Sequence, residues 1–121
     1  MPKLEIAGAE TVEVQHGRRL VLAIERDAGV DIMHRCGGNA KCTTCRVEFL
    51  EGEPESMTRA AMEALEKRGE LGNFRLSCQA LCDHDMKVRP LMRFSESEAS
   101  SPGPEPAAEI TPDPEWVQKP G

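Results

Sequence analysis

The chain has no tyrosine, one tryptophan and three phenylalanines. So few rings leave little to stack against a base, and the fifteen basic residues form no stripe, so nucleic-acid binding is not expected. No apolar run is long enough to span a bilayer, so neither is membrane insertion. The first residues lack a basic start followed by an apolar stretch, and a secretory signal is not expected. Missing too are a Ser/His/Asp set, a paired-carboxylate motif, a phosphate loop and a glycine fingerprint for a flavin or nicotinamide. The sequence therefore does not read as an enzyme or a complete reductase.

What is present is unevenly spread. A length of 121 residues allows one domain. From Ser95 onward the chain turns rich in Ser, Pro, Glu and Ala, holds six of the nine prolines and shows no apolar periodicity. Residues 1–94 are thus expected to fold, and 95–121 to form a disordered, solubilising acidic tail. The tail holds Glu96, Glu98, Glu105, Glu109, Asp113 and Glu115 against Lys119 alone. It carries most of the net charge of −6 and leaves the body nearly neutral. A sharper reading makes the tail a docking segment anchored by Trp116 between its prolines.

The apolar spacing sketches an α+β domain. Leu4, Ile6, Val12 and Val14 alternate with polar residues on either side of Gly8-Ala9-Glu10, which predicts a hairpin. Leu20, Val21, Ile24 and Ala28 fall at helical spacing. They predict a helix over Arg18–Ala28, stopped by Gly29, with Arg18, Arg19, Glu25, Arg26 and Asp27 mostly on its other side. Residues Arg46–Glu51 alternate as a strand. Met57, Ala61 and Leu65 place a second helix over Met57–Arg68, with Ser56 or Thr58 as the cap and no capping box. The shared parity of Phe74, Leu76, Cys78, Ala80 and Cys82 predicts one strand. Met86, Val88 and Leu91 predict another that pairs back on it.

Five cysteines are an odd number for disulfides, and their clustering favours a metal. No signal is expected, so the compartment follows as cytoplasmic. Cys36, Cys42 and Cys45 crowd a loop with the pattern C-x5-C-x2-C, and Cys78 stands further on in Arg75-Leu76-Ser77-Cys78-Gln79. Four-cysteine zinc sites use two C-x2-C pairs, and only Cys42 and Cys45 form one. The run typical of four-iron clusters is absent as well. The plant-type 2Fe–2S pattern is C-x4-C-x2-C with a distant fourth cysteine, which this chain matches with one extra residue in the first gap.

With those residues in view, the sequence resembles the adrenodoxin-type and bacterial 2Fe–2S ferredoxins over residues 3–92. The resemblance implies a β-grasp fold, in which a mixed sheet packs on one main helix and a surface loop wraps the cluster. It implies one 2Fe–2S cluster, with one iron held by Cys36 and Cys42 and the other by Cys45 and Cys78. It also selects the fourth ligand. Cys82 matches the family's gap length, but Arg-Leu-Ser-Cys-Gln matches its ligand context at Cys78, so Cys82 is read as a small buried hydrophobe. The partners implied are a ferredoxin reductase and an acceptor redox enzyme, with the carrier a monomer.

Around the ligands, Gly37 and Gly38 let the backbone approach the sulfurs, and Thr43 and Thr44 are candidate hydroxyl donors. Arg35, Lys41 and Arg46 are candidate cations that ease the charge added on reduction. His34 reads as a solvated or supporting histidine, since four cysteines already fill the ligand positions. The competing readings are a structural zinc domain on the same thiolates and a redox- or iron-sensing interaction protein.

Overall fold

The computed structural model describes residues 1–41, 43–96, 100–101 and 103–118. The hairpin forms as expected from β1 (Lys3–Ile6) and β2 (Thr11–Glu13). Leu4 and Ile6 point inward from alternate positions of β1, as the period of two requires. After β3 (Arg18–Arg19) the chain turns helical: α1 (Leu20–Leu22) runs on as a π-turn over Ala23–Asp27. Every residue from Leu20 to Ile24 is buried, so this helix is enclosed across its whole width by the fold. It ends where expected, at Gly29, whose φ of 70° suits a left-handed stop.

The strand β4 spans Arg46–Glu51, the range its alternation predicts. The second helix starts two residues later than expected. Ser56–Thr58 form β5, and α2 covers Arg59–Lys67. Thr58 is its cap, accepting the Ala61 amide on Oγ1 at 3.1 Å. Ala61, Ala64 and Leu65 form its buried stripe.

Two expectations for the later strands fail. The single strand over Phe74–Cys82 is broken into β6 (Arg75–Leu76), a 3₁₀ turn over Ser77–Gln79, and β7 (Leu81–Cys82). Its residues are buried on both parities from Phe74 to Ala80, so alternation carried no information about the break. The last strand, β8 (Met86–Pro90), does not pair back on β7. It lies parallel to β1 and antiparallel to β4. The resulting order β2-β1-β8-β4-β6 is a mixed sheet, and the α+β, β-grasp class stands. A separate pair, β3 with β7, sets Arg18 opposite Cys82.

The tail does not follow the disordered expectation over its described residues. Trp116–Gln118 form β9, antiparallel to β5, with Met57 opposite Val117. Ile110 is 6% exposed and Pro106 is buried. Arg59 fastens the approach to β9: its amide donates to the Glu115 carbonyl at 2.8 Å and its Nε pairs with the Glu115 carboxylate at 3.0 Å. What holds this segment is backbone pairing and isolated apolar anchors, neither of which produces a periodic pattern. Among the described residues no helix is long and apolar enough to cross a membrane.

Candidate metal centre

The pairing of β4 with β6 builds the site. Its register sets Arg46 opposite Leu76, so one step outward Cys45 faces Ser77 and the next residue is Cys78. Ser77 locks that step, because its amide and its hydroxyl both donate to the Cys45 carbonyl, at 3.0 and 2.7 Å. The 3₁₀ turn that follows presents Cys78 to Cys45 and leaves the two thiols hydrogen-bonded to each other. Two cysteines 33 positions apart thus converge, and Cys36, in the loop, acts with them on the charge of Arg19. Cys45 and Cys78 are buried and Cys36 is half-buried. Cys42 lies outside the described residues.

The loop turns amides toward these sulfurs. The Asn39 amide donates to Cys36 Sγ at 3.3 Å, and the Asn39 side chain ties back to the Cys36 carbonyl at 2.9 Å. The Ala40 amide bonds to Cys78. Ala40 (φ 60°) and Thr43 (φ 56°) both sit in the left-handed region, which costs a side-chain-bearing residue about 1–2 kcal/mol. Such strain persists where the surrounding contacts over-determine it. Gly38, at φ 85°, leaves room that a Cβ would fill, since that atom would lie 2.6 Å from the Arg19 guanidinium. The sequence gives Gly38 the role of letting the backbone approach the sulfurs; the room it keeps lies against Arg19 and Pro106.

Arg19 is the residue that helical spacing misplaced. It belongs to β3, is 0% exposed, and points into the site instead of solvent. Its Nε donates to the Cys78 carbonyl at 2.8 Å, and Nη2 donates to the Gly38 carbonyl. Nη1 donates to two carbonyls of the tail, Ala107 at 2.9 Å and Glu109 at 3.1 Å. Burial pulls its pKa down, while the charges of Cys78, Cys45 and Cys36 pull it back up. Gln79 is the second buried polar group that the sequence left without a role. Its Nε2 lies 3.7 Å from Cys78 Sγ and donates to the Thr111 carbonyl at 2.9 Å, while its Oε1 accepts from Thr58 at 2.7 Å.

The three cations expected to flank the ligands differ in exposure. Arg35 and Lys41 are exposed. Arg46 lies over the Phe74 ring at 4.3 Å and donates to the Thr43 carbonyl and hydroxyl, each at 3.0 Å. The Thr44 hydroxyl accepts the Arg35 amide at 2.9 Å. His34 is 2% exposed, so the solvated reading is excluded: Nε2 pairs with the Glu25 carboxylate, and Nδ1 is buried with no partner among the described residues.

The thiols divide by environment. Its hydrogen bond with Cys45 draws Cys78 down to about 7, helped by Gln79, the Ala40 amide and Arg19. Cys45 is pushed up by the same bond and by burial. Cys82 stands apart in β7, where burial and then Asp27 and Asp83 push it up to about 12. Cys45 and Cys78 move in opposite directions because they share one hydrogen bond, whereas burial leads at Cys82 and suits an inert buried thiol. Among the described residues no three Cys, His, Asp or Glu side chains converge as around a single metal ion. A two-iron cluster asks for something else, two thiolates per iron across a wider span. The donor set fits it: soft thiols, inward amides and a buried cation around one anionic centre.

Comparison with known proteins agrees with the geometry. The family described as 2Fe-2S iron-sulfur cluster binding domain matches residues 4–83. The F subunit of the Na(+)-translocating NADH-quinone reductase of Methylococcus capsulatus is 32% identical over 83 residues, covering 69% of this chain and 20% of that protein. The chain thus spans about a fifth of that relative's length. Terpredoxin from a Pseudomonas sp is 31% identical over 87 residues, covering 68% of this chain and 82% of terpredoxin. The ISC-like ferredoxin FdxB of Pseudomonas putida JCM 20004 aligns with a TM-score of 0.59 and 25% identity, over 83% of this chain and all of FdxB.

Proposed function

Because the chain belongs to the 2Fe-2S iron-sulfur cluster binding family, we propose that it is a one-electron carrier whose single cluster is held by Cys36, Cys42, Cys45 and Cys78. The observation that carries this reading is the convergence of Cys45 and Cys78, brought together from distant segments by the β4–β6 register. The cluster, when bound, supplies reversible one-electron oxidation and reduction at four thiolates.

The protein's part is to hold that charge and to limit its surroundings. Asn39 and Ala40 aim amides at the sulfurs, and Ser77 fixes the separation of the two segments. Cys45 and Cys78 are sealed from water, and Cys36 is the more open of the described ligands, so its side of the loop is the edge through which an electron passes. The body of residues 1–94 is the carrying domain. The donor is a reductase, as suggested by the similar unit within a relative that is itself part of a reductase, and the acceptor is a second redox enzyme. The carrier acts as a cytoplasmic monomer without catalysis of its own.

Purified chain should carry two irons and two acid-labile sulfides and titrate reversibly with one electron. Cys78→Ser should abolish or distort the visible spectrum, while Cys82→Ser should leave it unchanged. The opposite pair of results overturns the ligand assignment, and a colourless protein holding one zinc overturns the reading as a whole.

A further inference from the structure

A fully buried guanidinium ordinarily faces a carboxylate, because an unpaired charge in the interior is costly. Arg19 does not. Its oxygen acceptors among the described residues are four backbone carbonyls, those of Cys78, Gly38, Ala107 and Glu109. The charges that act on it are those of the three described thiols. Carbonyls satisfy its N–H groups but leave its net charge uncompensated. The site beside it is where the compensating charge belongs: four thiolates, two sulfides and two ferric irons form a dianion, and one added electron makes a trianion.

We infer that Arg19 is the buried counter-charge of the metal centre, held in place by the Ala107 and Glu109 carbonyls of the tail, and that it favours uptake of the electron. This rests on the cluster reading above. The step it serves is simple in its balance. One electron arrives from the reductase, no bond forms or breaks in the protein, and the site gains one negative charge against a fixed positive one. Arg35 and Lys41, which the sequence suggested for this role, are exposed, where water and salt screen them. A neighbouring opposite charge commonly moves a protonation equilibrium by about 1–3 units. An added electron is the same unit of charge, so Arg19 should favour the reduced form by about tenfold or more, which is ~59 mV for one electron.

The test measures iron and sulfide content, midpoint potential and apo-protein circular dichroism in the full chain, for wild type, Arg19→Gln and Arg19→Lys. The inference expects Arg19→Gln to hold the cluster with a midpoint at least ~59 mV lower, and Arg19→Lys to stay closer to wild type. If Arg19→Gln fails to load but its apo-protein folds, and Arg19→Lys loads, the need for the charge is equally shown. A loaded Arg19→Gln with the wild-type midpoint overturns the inference. So does failure of both variants to fold or load, which would make Arg19 a structural fastener only. A wild-type chain that binds no 2Fe–2S cluster instead sinks the function proposed above, independently of Arg19.

Discussion

Replacing Ile110 by alanine tests whether the tail is truly part of the folded molecule. Ile110 is a buried apolar side chain of the described tail, at 6% exposure. Truncating a buried isoleucine to alanine costs about 2–5 kcal/mol in a core. A segment that is free to undock belongs at the low end, since it can leave without unfolding the sheet. A loss of about 2 kcal/mol raises the population of undocked tail about 30-fold. The docking has polar contacts as well: Arg19 and Gln79 donate to three carbonyls between Ala107 and Thr111, and β9 pairs with β5. Amide exchange at Val117, opposite Met57, should therefore accelerate about as much as undocking itself, while Leu4 and Val88 in the central sheet keep their protection. If Val117 exchanges in the wild type as fast as in an unstructured peptide, the tail is not docked. If exchange is slow and Ile110→Ala leaves it unchanged, Ile110 is not what holds it.

Other consequences are read at single sites. Thr58→Ala removes the cap of α2 and leaves the buried Gln79 Oε1 without its donor, so chemical denaturation should show a loss of about 2–4 kcal/mol, the cap and the unsatisfied oxygen together. His84 places Nε2 2.7 Å from the Gly52 carbonyl and Nδ1 2.6 Å from the Asp83 carboxylate, and the carbonyl contact leads in raising its pKa. Both contacts need the doubly protonated ring. A raised folded pKa gives stability that is full below the ordinary histidine value of about 6.5 and fades as pH climbs through the folded value. His84→Ala should accordingly lose stability relative to wild type at pH 5.5 and much less at pH 9, as read from urea midpoints. An equal loss at both pH values would assign the effect to packing.

Much of this was legible in the sequence because it is locally encoded. The alternation of Arg46–Glu51 gave β4 its full range, and the paired runs around Gly8 predicted the hairpin. The cysteine spacing depends only on what a loop must wrap. Pairing partners are a different kind of fact. Nothing local tells β8 to lie parallel to β1 instead of against β7, because the pairing joins segments some eighty residues apart in the chain. The break in the late strand is similar. Ser77–Gln79 leave the extended form to present Cys78 to Cys45, and a segment buried on every side has no alternation left to interrupt. Cys82 therefore kept the parity of a strand partner while lying in a different sheet from the site.

Arg19 and the tail were illegible for one shared reason. Helical spacing assigns an arginine beside Arg18 to water, yet β3 rather than a helix carries both residues, and in an extended strand neighbours point to opposite faces. Arg18 therefore pairs at the surface with Asp27 at 3.1 Å while Arg19 turns inward. Once inside, it meets main-chain oxygens supplied by a Pro- and Glu-rich segment whose side chains advertise solvent exposure. Backbone carbonyls are the same in every residue, so composition cannot reveal a segment that docks through them. Among its described residues the acidic side chains of that segment from Glu105 onward stay outside, as Glu105 pairing with the exposed Arg26 shows, while the backbone carbonyls of Ala107 and Glu109 reach the buried cation. That division lets one stretch be solvated on its outer face and still complete the electrostatics of a buried site.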